Sequence, residues 1–416
     1  MPAPNPGDET IAIVGAGVIG CAVAYALARE GRRVMVIDRA DPGVAGASFG
    51  NVGHLAAELV EPLPSRQLLF SFWRMLTAFD GPLEIPMRRW LRFAPWALRF
   101  TAAAFRQHEN TQHLAPLVRP ATADFERWLI EIGRPDLMRR NGHYQFWFSS
   151  GAAQKADAQA RHMNELGVPT EPASAEVLAA VSGAAKRAGI AGLWFNKSGH
   201  VIDPQGVCQA FSDAAISLGA SFERNDVRAL QPRGQRIEIL TPTDRRVVST
   251  AIVCAGAWSK SLLTPFGLKV PLEAARGYHV ELAGHAPLLD APIVYMDESV
   301  LVTPMASRLR ASTYMEFERI DAPPDARKPA RLRRKLQALG YRCDNEGPSW
   351  VGPRPVLPDY LPGIGRAPGP RNLFYAIGHQ HIGLTLAPVT GELVADLVAG
   401  RPTKYDVAPF DLRRFG

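Results

Sequence analysis

The stretch IAIVGAGVIGCAVAYALAREGRRVMVIDRA, residues 11–40, constrains this 416-residue chain more than any other. Thr10 to Val14 is short, apolar and β-branched, which reads as a buried strand. Gly15, Gly17 and Gly20 follow directly. Val18 to Glu30 is rich in helix formers, Gly31 stops it, and Arg33 to Ile37 is a second apolar strand ending at Asp38. Glycines between the strand and the helix of one such unit predict a dinucleotide site. Gly15 permits the tight turn, Gly17 lets backbone approach a pyrophosphate, and Gly20 lets the helix pack on the strand. Free N–H groups at the helix start meet the anion. Asp38 accepts hydrogen bonds from an adenosine ribose and disfavours a 2′-phosphate.

A chain of this length buries a large core and divides into two domains. No run of 18 apolar residues occurs, so no transmembrane helix is expected. Residues 1–9, MPAPNPGDE, read as a short loose lead and not a secretory signal. Cys21, Cys208, Cys254 and Cys343 are scattered without metal-ligand spacing, which fits a reducing cytoplasm and assigns no metal. The net charge of +7 suits anionic ligands or an anionic membrane surface. Without a recognition motif or a dense basic run interleaved with aromatics, nucleic acid is not an expected partner. The basic run Arg327 to Lys335 reads as the solvated face of a helix.

Four later segments complete the pattern. Ala45 to His54, AGASFGNVGH, is a small, polar, glycine-rich loop suited to phosphates or a ring system. Asp226 to Leu262 predicts a small antiparallel meander, with alternation at Val227, Ala229, Ile237, Ile239 and Val247. A buried strand Ala251–Cys254 follows, ending in Ala255-Gly256-Ala257-Trp258. Leu373 to Ile377 is another strand, Gly378 to Gly383 a loop, and Thr385 to Val398 a helix with Pro388 in its first turn. The start of that helix offers N–H donors and a positive dipole end.

Together VGAGVIG with Asp38, ASFGNVGH, VCAGAWS, GPRPVLPDYLPGIG and GHQHIGLTLAPVTG resemble the FAD-dependent oxidoreductases of the D-amino acid oxidase superfamily. The pattern is most similar to the bacterial D-amino acid and D-hydroxyproline dehydrogenases. The matches spread over residues 11–400, while roughly residues 60–225 and 270–345 carry little that can be matched. The resemblance implies an α/β fold: a Rossmann-like FAD-binding domain interleaved with an α+β substrate domain built on an antiparallel sheet. The expected FAD domain takes residues 8–60, 200–270 and 350–416; the substrate domain takes 61–199 and 271–349.

By the same resemblance, Gly15, Gly17, Gly20 and Asp38 are the ADP-binding fingerprint, and Arg39, Ala47 and Ser48 contact phosphate and adenosine. Asn51, Gly53, His54 and Leu55 fall beside the isoalloxazine, and Val227 brackets the adenine. Ala255, Gly256 and Trp258 are a second FAD contact; Gly378, Gly383, Leu384 and Thr385 meet the pyrimidine end of the flavin. Arg354 corresponds to the arginine that clamps the substrate carboxylate, through two parallel hydrogen bonds. Tyr278 and Arg276 are further candidates, Tyr278 either as a second carboxylate donor or as a core aromatic. His54, His379 and His381 lie in glycine-rich loops with the chemistry for proton work. No cysteine lies between Trp350 and Asp359, where monomeric sarcosine oxidases bond the flavin, so non-covalent FAD is implied.

The activity implied is oxidation of a D-amino acid or cyclic imino acid by hydride transfer from Cα to flavin, giving an imine or 2-oxo acid. Another small amine or hydroxy acid, a flavin-binding subunit of a larger complex and a NAD enzyme stay open at this point. The electron acceptor implied is a quinone or another carrier. Residues 70–105 set Arg88, Arg92 and Arg99 beside Trp90, Phe93, Ala97, Phe100 and Ala104 at helical spacing. This is either an amphipathic helix packed on its own domain or a membrane-surface helix at the inner face of the membrane.

Overall fold

The computed structural model describes residues 10–76, 81–284, 286–343, 347–369 and 372–416; the lead at residues 1–9 lies outside these. Its first sheet has six strands in the order Ser221–Arg224, Val34–Asp38, Ile11–Val14, Thr250–Val253, Leu373–Ile377, Gly363–Arg366. The first five are parallel and the last is antiparallel. Ile11–Val14 is buried at every residue, as a central parallel strand covered on both faces must be. One face carries the helices Val18–Arg29, Pro204–Ser217 and Ala387–Ala399, which bury Ala22, Tyr25, Phe211 and Leu393 together. The other carries the expected meander, Ala229–Arg233, Arg236–Leu240 and Arg245–Val248, packed through Leu230, Ile237 and Ile239. Val227 precedes the meander's first strand, and the last helix begins at Ala387, not Thr385.

The second sheet has nine strands, eight along one path: Ser349–Val356, Glu273–Ala283, Arg308–Phe317, Val300–Pro304, Ile293–Tyr295, His143–Trp147, Ala191–Phe195, Glu171–Pro172. Leu83–Glu84 joins alongside Arg308–Phe317. Apart from that pair and the pair Ile293–Tyr295 with His143–Trp147, the strands are antiparallel. The strand carrying Arg354 is hydrogen-bonded into this sheet, whereas the expected boundary at residue 350 groups it with the nucleotide sheet. Helix Arg327–Ala338 covers one face through Leu332 and Leu336. A small third sheet joins His54–Leu55, Gly199–Val201 and Met138–Arg139.

Two surface readings change. The basic run is helical, but Lys328 is buried and paired with Glu84 at 2.8 Å and with Glu316, so the face is not simply solvated. In helix Trp90–Ala104, Phe93 and Trp96 point inward onto Phe317, and Phe100 meets Tyr360. Phe93, Ala97, Phe100 and Ala104 of the expected stripe lie on this packed side, whereas Trp90 is 51% exposed and the buried Trp96 lies outside the expected set. A second apolar stripe points out: Leu91 is 92% exposed, Leu98 72% and Phe105 61%, with Phe70 of the preceding helix at 89%. No helix among the described residues is long and apolar enough to cross a membrane.

Candidate active site

The carboxyl ends of the first sheet's parallel strands open onto a cleft of about 390 Å³. Gly15, Gly17, Asp38 and Arg39 line it. Gly15 has φ +113°, and a Cβ there would stand 2.5 Å from the Cys254 carbonyl oxygen, so only glycine turns here. Gly20 lies outside the cleft. A Cβ on it would fall 1.8 Å from the Gly15 carbonyl oxygen, which is the close helix–strand packing expected of it. Asp38 accepts N–H bonds from Ala16 at 2.7 Å and Ala40 at 3.0 Å, which hold its carboxylate at the cleft edge with lone pairs remaining. Ser48 Oγ accepts the Val18 N–H at 3.0 Å and so occupies part of the helix start. The Arg39 guanidinium lies 4.1 Å from the centre of the Trp258 ring, giving the cleft a flat cationic wall.

The remaining wall comes from Ala47, Asn51, Val227, Ala255 and Gly256, and from Gly378, Gly383 and Leu384. The expected residues from five separate segments thus converge on one cleft. Four do not reach it in the way expected. Gly53 has φ +78° and abuts the Val201 carbonyl, Leu55 is fully buried core, and His54 faces the neighbouring cavity instead. Thr385 accepts the Ala56 N–H at 3.0 Å and ties two loops together behind the wall.

A second cavity of about 930 Å³ adjoins the cleft, and Ala47, Asn51 and Gln380 line both. Its walls are mostly apolar, including Leu59, Phe93, Trp96 and Met315. Among the described residues, one fixed positive charge lies there. Arg354 donates through Nη1 to the Tyr314 carbonyl at 3.1 Å and through Nη2 to Ser312 Oγ at 3.4 Å. Among the described residues no carboxylate lies within ion-pair distance of it, and burial draws the guanidinium below its ordinary range. An uncompensated cation in an apolar space is costly unless an anion enters. Gln380 is buried, neither its amide nitrogen nor its oxygen has a partner among the described residues, and it faces both spaces. Such an orphaned donor–acceptor pair fits the polar edge of a ring system. Of the non-glycine residues with left-handed backbone, Ser299, Tyr314, Tyr360 and Gln380 all line this cavity, as strain at binding sites does.

Arg276 and Tyr278 do not face it. Side chains alternate across a strand. Arg276 pairs with Glu316 at 3.2 Å, and Tyr278 donates to Glu316 at 2.9 Å, on the face covered by helix Arg327–Ala338. Gly277, between them, points to the opposite face, where the Arg354 guanidinium packs directly on it. Tyr278 is thus a core aromatic and not a carboxylate donor. His381 lines the cavity, its ring 6.0 Å from that of Tyr360. His54 lines it too, but burial pushes its ring down to about 3, so it is neutral at ordinary pH and a poor proton acceptor. His379 is likewise pushed to about 3 by burial and bonds Thr390 Oγ1 at 3.0 Å. Sequence reasoning missed Trp350, whose indole fills the slot left by Gly50 and Gly352 and stacks on His279 at 5.2 Å. Glycines flanking an aromatic on a strand were the available signal. It also missed Gln380, inside a motif already quoted, and Glu58 and His143, which meet at His54.

A profile described as FAD dependent oxidoreductase matches residues 10–397. The chain belongs to the FAD dependent oxidoreductase family. It is 30% identical over 99% of its length to a D-amino-acid oxidase of Bradyrhizobium diazoefficiens, the match covering all of that protein. To a D-amino acid dehydrogenase of Paramagnetospirillum magneticum it is 29% identical, over 97% of this chain and 98% of the other. The glycine oxidase of Geobacillus kaustophilus shares the fold, with a TM-score of 0.76 at 22% identity over 97% of this chain and 98% of that one. This oxidoreductase uses FAD.

Proposed function

We propose that the protein dehydrogenates a D-amino acid or cyclic imino acid at Cα. The observation that carries this is Arg354: a guanidinium bonded, among the described residues, only to a carbonyl and a hydroxyl, in an apolar cavity continuous with the nucleotide cleft. A carboxylate supplies the missing counter-charge and binds the planar fork in two parallel hydrogen bonds. That fixes the plane of the substrate and points its Cα–H at the junction lined by Asn51 and Gln380. FAD, when bound, takes up the hydride and its electron pair. The apolar walls hold the side chain and keep water out. Neutral histidines serve this chemistry as scaffold, since an amine that arrives uncharged loses hydride without a protein base. The immediate product is an iminium ion, which gives up its proton to water as the imine; a primary imine hydrolyses to a 2-oxo acid and ammonia, and a cyclic one persists. Mixing the flavin-loaded protein with D- and L-alanine, D- and L-proline and glycine without oxygen tests the reading. Bleaching of the flavin by D- but not L-enantiomers is expected, and bleaching by none of them refutes it.

We further infer that the outward stripe Leu91, Leu98 and Phe105, with Phe70 beside it, rests on an anionic membrane surface that holds the electron acceptor. Arg92 and Arg99 flank the stripe, whereas Arg88 is paired with Glu318 and Arg89 with Glu273. Apolar residues beside exposed arginines match a surface-lying helix. Flotation with anionic liposomes should carry the wild type and leave a Leu91→Ser/Leu98→Ser variant behind; equal flotation of both ends the idea.

A further inference from the structure

We propose that His54, Glu58 and His143 form a site for one divalent transition-metal cation, with zinc as its best occupant. His54 and Glu58 follow the nucleotide-binding loop, and His143 begins a strand of the second sheet. Glu58 Oε1 stands 3.5 Å from His54 Nε2 and 3.6 Å from His143 Nε2, and the three candidate ligand atoms lie within 4.8 Å of one another. These separations are too long for hydrogen bonds. A cation equidistant from three such atoms would lie roughly 2.0–2.4 Å from each, which overlaps the Zn–N and Zn–O lengths of about 2.0–2.2 Å.

Burial strengthens the case. Glu58 is 4% exposed, His143 0% and His54 8%. The Nε2 atoms of both histidines are buried without a hydrogen-bond partner among the described residues. The carboxylate of Glu58 receives one conventional hydrogen bond, from Ser198 Oγ to Oε2 at 2.7 Å, and no lysine or arginine pairs with it among the described residues. A buried carboxylate costs several kcal/mol unless a positive charge answers it. Two imidazole nitrogens and one carboxylate oxygen are the donors of many three-ligand zinc sites. Ser198 supplies the outer hydrogen bond that orients the carboxylate. The His143 ring is clamped against Phe195, 4.4 Å apart and 20° from parallel, which fixes its direction.

The cation's role is positional. It ties the segment behind the nucleotide loop to strand His143–Trp147 of the second sheet. It takes no part in the redox step, and the inference is independent of the substrate reading.

The test uses flavin-loaded full-length protein incubated with Zn(II) or Co(II), desalted, and analysed for metal by mass spectrometry. About one Zn(II) per chain is expected, with a visible Co(II) spectrum of low-coordinate type. Glu58→Gln and His143→Gln, which keep shape and some hydrogen bonding, should each lose at least tenfold in metal content while retaining flavin. If those variants do not fold, the wild type alone decides: Zn(II) should raise its Tm and chelation should reverse the rise. Wild type that takes up no Zn(II) and shows no Tm change overturns the proposal, as does a folded variant that retains wild-type metal content.

Discussion

Gly277→Ala tests the carboxylate clamp without touching the arginine. A Cβ built on Gly277 falls 2.2 Å from Arg354 Cζ and from Nη2, and 2.3 Å from Nη1. Carbon contacts settle near 3.5–4.0 Å, so the guanidinium must withdraw by more than about 1 Å. What is displaced is the end of a flexible side chain, not backbone, so the sheet survives. Alanine in a strand even removes roughly 0.5–1 kcal/mol of glycine's entropic penalty. A displacement of this size in a positioning group costs on the order of 10²-fold in rate. The expected result is a fall of about 100-fold in kcat/KM for the preferred D-amino acid, or roughly 2.7 kcal/mol of transition-state stabilisation. The assay is anaerobic rapid mixing followed at the flavin band. Flavin content and Tm, measured on the same preparation, should match the wild type within about 3 °C. A kcat/KM within threefold of wild type would refute the placement of the clamp.

Tyr278→Phe should leave kcat/KM within about twofold of wild type and lower stability by about 1–2 kcal/mol in denaturant, because it removes a buried hydrogen bond to Glu316. Gly20→Ala should yield protein depleted in FAD, read from the visible spectrum after purification, since its Cβ would meet backbone at 1.8 Å. Stability should fall as pH drops from about 6.5 towards 4. Burial holds His279 at about 4 and His379 at about 3 in the folded protein, so below 6.5 the unfolded chain binds protons that the native state refuses. Each contributes up to about 2 kcal/mol of loss between pH 6.5 and 5, and chemical denaturation at the two values measures their loss together with that of the other buried histidines, His54, His143, His200 and His381.

The dinucleotide cleft was legible because its determinants are local: three glycines, an aspartate and the strand–helix switch around them. Arg354 was legible only through resemblance, as nothing in a lone arginine between two prolines announces a cavity. Which way Arg276 and Tyr278 point stays open in the sequence because strand Glu273–Ala283 is buried on both faces and its alternation carries no polar signal. Gly277, the residue that makes room, was the cue to parity. Of the stripe Trp90, Phe93, Ala97, Phe100 and Ala104, all but Trp90 lie on the packed side of the helix, and Trp96, which the spacing leaves out, is buried with them. The stripe's outward counterpart repeats every seven residues at Leu91, Leu98 and Phe105 and was hidden by the stronger aromatic pattern. His143 is separated from His54 by most of the second domain's opening segment, so no spacing rule connects it to Glu58; only the fold does.

The most direct test of a carboxylate held by Arg354 beside the flavin compares one D-amino acid with its amide. Flavin-loaded protein is mixed without oxygen with the best D-substrate and, separately, with the same compound as its carboxamide. Two charge-assisted hydrogen bonds at about 1.5–3 kcal/mol each predict that the acid bleaches the flavin at least 10²-fold more efficiently, and that Arg354→Met removes this preference. Equal bleaching by acid and amide in the wild type would contradict the account.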